Sequence, residues 1–173
     1  HRLAVGFYST TGGKLVRTHR VELDVDGERT EVAELVGQAR PDLVLLNDDD
    51  LAYAKIRMDD ASLAVAIDQL AAIENPLARA IVWGAAWDST RDAEMAPRDS
   101  VRLVPGNIAT ETASTTLRTP LTQPLLVART YVDPAARAPP LAAIVHALWR
   151  LANAGDARPH APLQLLELFP HLP

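Results

Sequence analysis

The chain has 173 residues, enough for one ordinary domain or two small ones with a real core. It is 48% hydrophobic and 23% charged with a net charge of -5, which marks a globular chain and argues against nucleic acid or another long polyanion as partner. The absence of cysteine excludes a disulfide framework, a thiolate metal site and a cysteine nucleophile, and fits a reducing, cytoplasmic setting.

Apolar runs such as Leu141–Val145 and Leu163–Leu166 fall far short of the ~20 residues of a membrane span, so no membrane partner is expected. The chain opens at His1 with no basic-then-apolar leader, and we read it as a piece from inside a longer reading frame.

From Leu3 to Arg57, alternating and β-branched residues lie between glycine-bearing turns, the pattern of strands. Strands are predicted at Leu3–Tyr8, Leu15–Val25, Glu28–Val32, Leu43–Leu46 and Tyr53–Arg57. The turns are Thr10-Thr11-Gly12-Gly13 and Asp26-Gly27, the second a strong short-hairpin signal because both residues accept positive φ.

After Met58 the apolar period changes to about 3.6 and capping residues recur. Asp59 and Asp60 cap a helix with Leu63, Ile67 and Leu70 on one face, and Asn75-Pro76 opens a second running to about Arg91. Ala96-Pro97 opens a third with Val101, Val104 and Ile108, and a fourth carries Leu117, Leu121, Leu125 and Ala128. Asp133-Pro134 begins a fifth element, whose core Leu141–Asn153 turns Ile144, Val145, Leu148 and Leu151 inward with Gly155 as C-cap. A short sixth helix is predicted at Leu163–Phe169. Helix pairs start at a spacing of roughly 36 residues, as in stacked helical hairpins. Pro120, Pro124, Pro139 and Pro140 each remove a backbone donor, so kinks or breaks are expected in the fourth and fifth helices. The fold class is therefore α+β by segregated halves: a small antiparallel, β-sandwich-like part over residues 1–58, then an α-helical hairpin-repeat, solenoid-like domain over residues 59–173.

Gly12-Gly13-Lys14 imitates the end of a P-loop, but Tyr8 stands where the first glycine belongs, Leu15 cannot ligate magnesium, and a strand pattern follows; a hairpin turn is the reading. Asn47-Asp48-Asp49-Asp50 offers the oxygens a hard cation wants, without the spacing, glycine or terminal glutamate of a calcium loop. A turn whose acids accept backbone hydrogen bonds is expected there. His1, His19, His146, His160 and His171 form no pair at zinc-ligand spacing, Glu167 is separated from His171 by Pro170, and neither HExxH nor GxSxG occurs. No catalytic, cofactor-binding or metal-binding residue is assigned. Trp83 and Trp87, four apart around Gly84, Ala85 and Ala86, could line a pocket, but small-large alternation is what tight helix crossing needs, so core packing is expected. Asp88 and Arg91 are spaced to pair on the same helix.

The stretch Arg40–Asp59, RPDLVLLNDDDLAYAKIRMD, resembles the junction of actinobacterial-type aminopeptidase N where a small β-sandwich passes into a helical C-terminal domain. Asn75–Glu94 (NPLARAIVWGAAWDSTRDAE) is similar to the first helical hairpin of that domain, and Asn107–Thr119 to its continuation. HRLAVGFY and ELDVDGERTEV resemble sandwich strands, so the likeness runs over roughly residues 1–155. Residues carrying the family pattern, in structural roles, are Asn47, Asp48, Tyr53, Arg57, Trp83, Trp87, Asp88 and Arg91. The family are zinc exopeptidases of four domains, with catalysis in GAMEN and HExxH motifs that this chain lacks. The resemblance thus implies an inactive C-terminal piece whose zinc lies in an upstream catalytic domain of the same polypeptide, and whose role is to roof the chamber and limit which peptides enter. The proline-rich end departs from the family, as do Pro105, Pro120 and Pro124. Without covering strands the β half should expose apolar surface and can self-associate. The alternative is a free-standing helical-repeat module that binds a peptide or protein; an in-frame HExxH upstream supports the first reading, a start codon just before His1 the second. An independent hydrolase or nucleotide-binding enzyme is disfavoured by the missing motifs.

Overall fold

The computed structural model describes residues 1–111 and 114–153. Among the described residues the fold is α+β with the two kinds of element segregated: a three-stranded antiparallel sheet, then five α-helices. Two compact units are formed, the first His1–Asp88 and the second beginning at Ser89.

In the first unit, β1 (Arg2–Thr11) and β2 (Lys14–Asp24) are joined by Gly12 and Gly13 at φ 58° and 79°. That conformation requires glycine most of all and matches the twist of a two-residue hairpin, so the phosphate-loop alternative is excluded here. The short β3 (Leu43–Leu46) pairs with the other side of β1, giving the order β2-β1-β3. Two predicted strands do not form. Residues 28–32 lie in a loop that Thr30 closes by accepting from the Asp26 amide and donating to the Asp26 carbonyl, both at 3.2 Å. Gly27 does adopt a positive φ of 67°, but as part of that loop rather than of a hairpin. Residues 53–57 are likewise extended without a strand partner.

Helix α1 (Asp60–Gln69) packs against β3. Its N-cap is Asp59, whose carboxylate accepts from the Ala61 and Ser62 amides at 3.1 Å, and Arg40 pairs with the same group. The buried Ser62 hydroxyl donates to Asp59 at 2.7 Å and accepts from the Val44 amide at 2.9 Å, tying the helix start to the sheet. A 3-10 turn at Leu70–Ala72 follows, Ile73 bridges to Leu15, and Lys14 pairs with Glu74. Helix α2 (Pro76–Arg91) starts as predicted, with Asn75 accepting from the Leu77 amide at 2.9 Å and proline where no donor is needed. The buried Arg79 reaches back to the carbonyls of Ile73 and Glu74 at 2.7 and 3.0 Å, satisfying groups that precede the helix.

The second unit contains α3 (Pro97–Asn107), α4 (Ser114–Thr130) and α5 (Ala138–Ala152), each packed on the other two. Val101, Leu103, Val104, Ile108, Leu125, Val127, Ile144, Leu148 and Leu151 make its apolar core. Asp133 caps a 3-10 turn before α5 by accepting from the Ala135 amide at 2.9 Å. The expected proline breaks do not occur: α4 runs on through Pro120 and Pro124, and Pro139 and Pro140 sit in the first turn of α5, where the missing donor costs nothing. The predicted cap at Gly155 and helix at Leu163–Phe169 lie outside the described residues. Among the described residues no helix is long and apolar enough to cross a membrane.

Candidate functional site

The strongest local chemistry gathers at the turn after β3. Asn47, Asp49 and Asp50 all have positive φ, at 55°, 67° and 54°, a region that Asn and Asp tolerate better than other side chains. Asn47 holds the turn closed: its Oδ1 accepts from the Ala52 amide at 2.9 Å and its Nδ2 donates to the Ala52 carbonyl at 2.7 Å. The Asp48 amide donates to the Ala4 carbonyl at 3.0 Å, which delivers the Asp48 side chain onto β1.

Asp48 is fully buried. Its carboxylate accepts from the Tyr8 hydroxyl at 3.0 Å and from Arg17 at 2.9 Å, while Arg17 and Arg20 both reach Asp49, at 3.0 and 2.7 Å. Gly6 makes the space, since a Cβ there would stand 2.2 Å from the Asp48 Oδ2. Arg17 and Arg20 are three apart and would face opposite sides of a regular strand. A register shift opposite Phe7 and Tyr8 pairs Arg17 with Tyr8 and Arg20 with Gly6, so the bulge brings both guanidiniums to one face.

Burial and the Asp48 carboxylate push the Tyr8 phenol well above its usual range. The hydrogen bond to Asp48 raises Arg17 despite its partial burial. Burial opposes ionisation of Asp49, but the bonds from Arg17 and Arg20 outweigh it and hold the carboxyl below the usual range. Glu22 is lowered by Arg20 and then Arg2, extending the charge chain along the sheet. Asp48 does accept a backbone amide, from Asp49 at 3.2 Å, as the sequence led us to expect, but the charges of Asp48 and Asp49 are balanced by Arg17 and Arg20, with the Tyr8 hydroxyl adding a hydrogen bond. Guanidiniums occupy the Asp48 and Asp49 oxygens that a hard cation would need and leave only Asp50 open, so the turn does not fit calcium or zinc. Among the described residues no three His, Asp or Glu side chains converge as a metal-binding set.

The other pattern residues take separate places. Tyr53 is fully exposed on the loop after the turn, and Arg57 is half-buried and donates to the Ile56 carbonyl at 3.1 Å. Trp83 is 4% exposed inside α2, Trp87 is half-buried, and Arg91 is exposed in the helix's last turn. Asn47 and Asp88 do come together: with Asp50, Ile56, Leu77 and Gly84 they line a cavity of about 240 Å³ between the 47–56 loop and α2. The sequence reading missed Gly6, Tyr8, Arg17 and Arg20, and the cavity; the signal available was two arginines on a strand opposite an acidic turn.

The chain matches the family described as ERAP1-like C-terminal domain over residues 43–141, more than half its length. It is 51% identical over 138 residues to the aminopeptidase N of Streptomyces lividans. That match covers 79% of this chain and 16% of the Streptomyces protein, so the chain spans about a sixth of the length of its relative. The chain belongs to the ERAP1-like C-terminal domain family.

Proposed function

We propose that this chain is a non-catalytic C-terminal segment of a zinc aminopeptidase of the aminopeptidase N type, an enzyme releasing N-terminal residues from peptides, and that it helps roof the active-site chamber and limits which peptides enter. The observation that carries this reading is the extended identity to the Streptomyces aminopeptidase in a chain that has neither HExxH nor GAMEN. Zinc chemistry would then belong to an upstream domain of the same polypeptide, in the cytoplasm. We place the division between the β part and the helical domain at residues 58 and 59, on the strength of the change in apolar period and the Asp59 cap.

Two measurements test this. The purified chain is expected to bind no stoichiometric zinc and to leave aminoacyl arylamides intact, because it supplies no ligand set and no general base; chelator-sensitive turnover would overturn the reading. In a full-length enzyme, removing the segment should change the ratio of kcat/KM for long peptides against single aminoacyl arylamides. An unchanged ratio in a folded truncation overturns the gating role while leaving the family membership intact.

A further inference from the structure

The cavity between the 47–56 loop and α2 has the makings of a side-chain pocket. Its volume of about 240 Å³ lies below the roughly 300–1,000 Å³ of small-molecule sites, which suits a single side chain rather than a cofactor. Ile56, Leu77 and Ile81 supply aliphatic walls, and Gly84 supplies depth, since a Cβ built there meets no heavy atom within 4 Å. At the lining stands Asp50, exposed, with Oδ1 accepting from Asn47 Nδ2 at 3.2 Å. Its Oδ2 has no partner and the carboxylate pairs with no cation among the described residues. The lining contains no lysine or arginine.

We propose that this pocket binds a lysine side chain of a peptide, its methylenes against Leu77 and Ile81 and its ammonium on Asp50. A long apolar stem ending in a compact cation is the group that such a lining desolvates least wastefully. The inference stands apart from the chamber-roof reading, because binding is measured on this chain itself.

The test titrates the full chain with Nα-acetyl-lysine amide and, separately, with the norleucine amide that lacks the ammonium, following ¹⁵N-labelled amides of Asp50, Ala54 and Gly84. Saturable shifts with the lysine compound are expected, weakened by salt, with norleucine much weaker. Asp50→Asn, which keeps a residue tolerant of the turn's positive φ, should weaken lysine binding by about tenfold, the loss of one charge-assisted hydrogen bond. Gly84→Leu should abolish it by filling the pocket, without harm to a helix that prefers leucine to glycine. No shifts, equal shifts with norleucine, or full affinity in Asp50→Asn would each overturn the proposal.

Discussion

Strands and helices alike bury apolar side chains, among them Ala4, Leu15, Leu43 and Leu45 of the sheet, but among the described residues only the sheet adds a buried charge cluster. On the sheet, the face of β1 that carries Gly6 and Tyr8 is covered by an ion-pair cluster in which a fully buried carboxylate, a tyrosine hydroxyl and two arginines satisfy one another. The helices bury mostly aliphatic and aromatic surface: Val82, Trp83 and Ala86 in α2, and Val101, Leu103, Ile144 and Leu148 in the second unit. Apolar burial is non-directional and tolerates small shifts, whereas a buried charge cluster fixes one geometry and fails when a partner is lost. The strand region should therefore be sensitive to pH and to single atoms, and the helices to lost volume.

The largest effect expected is on the helical side. Trp83→Ala removes a buried ring and leaves a cavity, and should cost about 3–5 kcal/mol. Urea denaturation measures it, and an unchanged midpoint would show that the ring is not a packing anchor. The strand-side counterpart is Asp48→Ala, which strands the buried Tyr8 hydroxyl and leaves Arg17 with Asp49 as its one remaining carboxylate partner among the described residues, and should cost about 2–4 kcal/mol. Gly6→Ala should cost about 1–3 kcal/mol by overpacking, but much less in the Asp48→Ala background, because the obstacle to the new Cβ is the Asp48 carboxylate. Additive costs in this cycle would mean that Gly6 is needed for some other reason.

The same division explains what was legible in the sequence. Helix starts at Asp59, Asn75-Pro76, Ala96-Pro97 and Asp133-Pro134 could be read because a capping side chain or, at Ala96-Pro97, a first-turn proline is a local device, settled within three residues. Strands are not local. Residues 28–32 and 53–57 have strand-like composition but find no neighbour, and the extended pattern alone could not reveal that. Arg17 and Arg20 escaped notice because period-two reasoning puts them on opposite faces, and only the bulge reunites them. In α4 the local signal was overruled: burial of Leu125, Val127 and Ala128 in a cluster with α3 and α5 outweighs the bonds lost at Pro120 and Pro124.

The smallest expected effect separates the two regions most cleanly. Asp49 has its carboxyl held below the usual range in the folded state, whereas in the unfolded chain it titrates near about 3.9. A lowered folded-state pKa contributes stability that is present above the unfolded value and is lost as pH falls through the folded one, so the window lies below about pH 4. Arg17 and Arg20 stay charged throughout that window, so the loss follows the carboxylate alone. Asp49→Asn retains a side chain suited to the φ of 67° and should lower stability at pH 7 by less than about 1 kcal/mol, since the pairs are partly exposed. At pH 2.5 the difference between the variant and the parent chain should be smaller than at pH 7. The Trp83→Ala deficit, by contrast, should stay the same at both pH values, because no titrating group is removed. Urea midpoints of both variants at pH 7 and pH 2.5 decide the matter: an Asp49→Asn deficit that persists undiminished in acid would mean that the turn is held by its backbone and not by its charges.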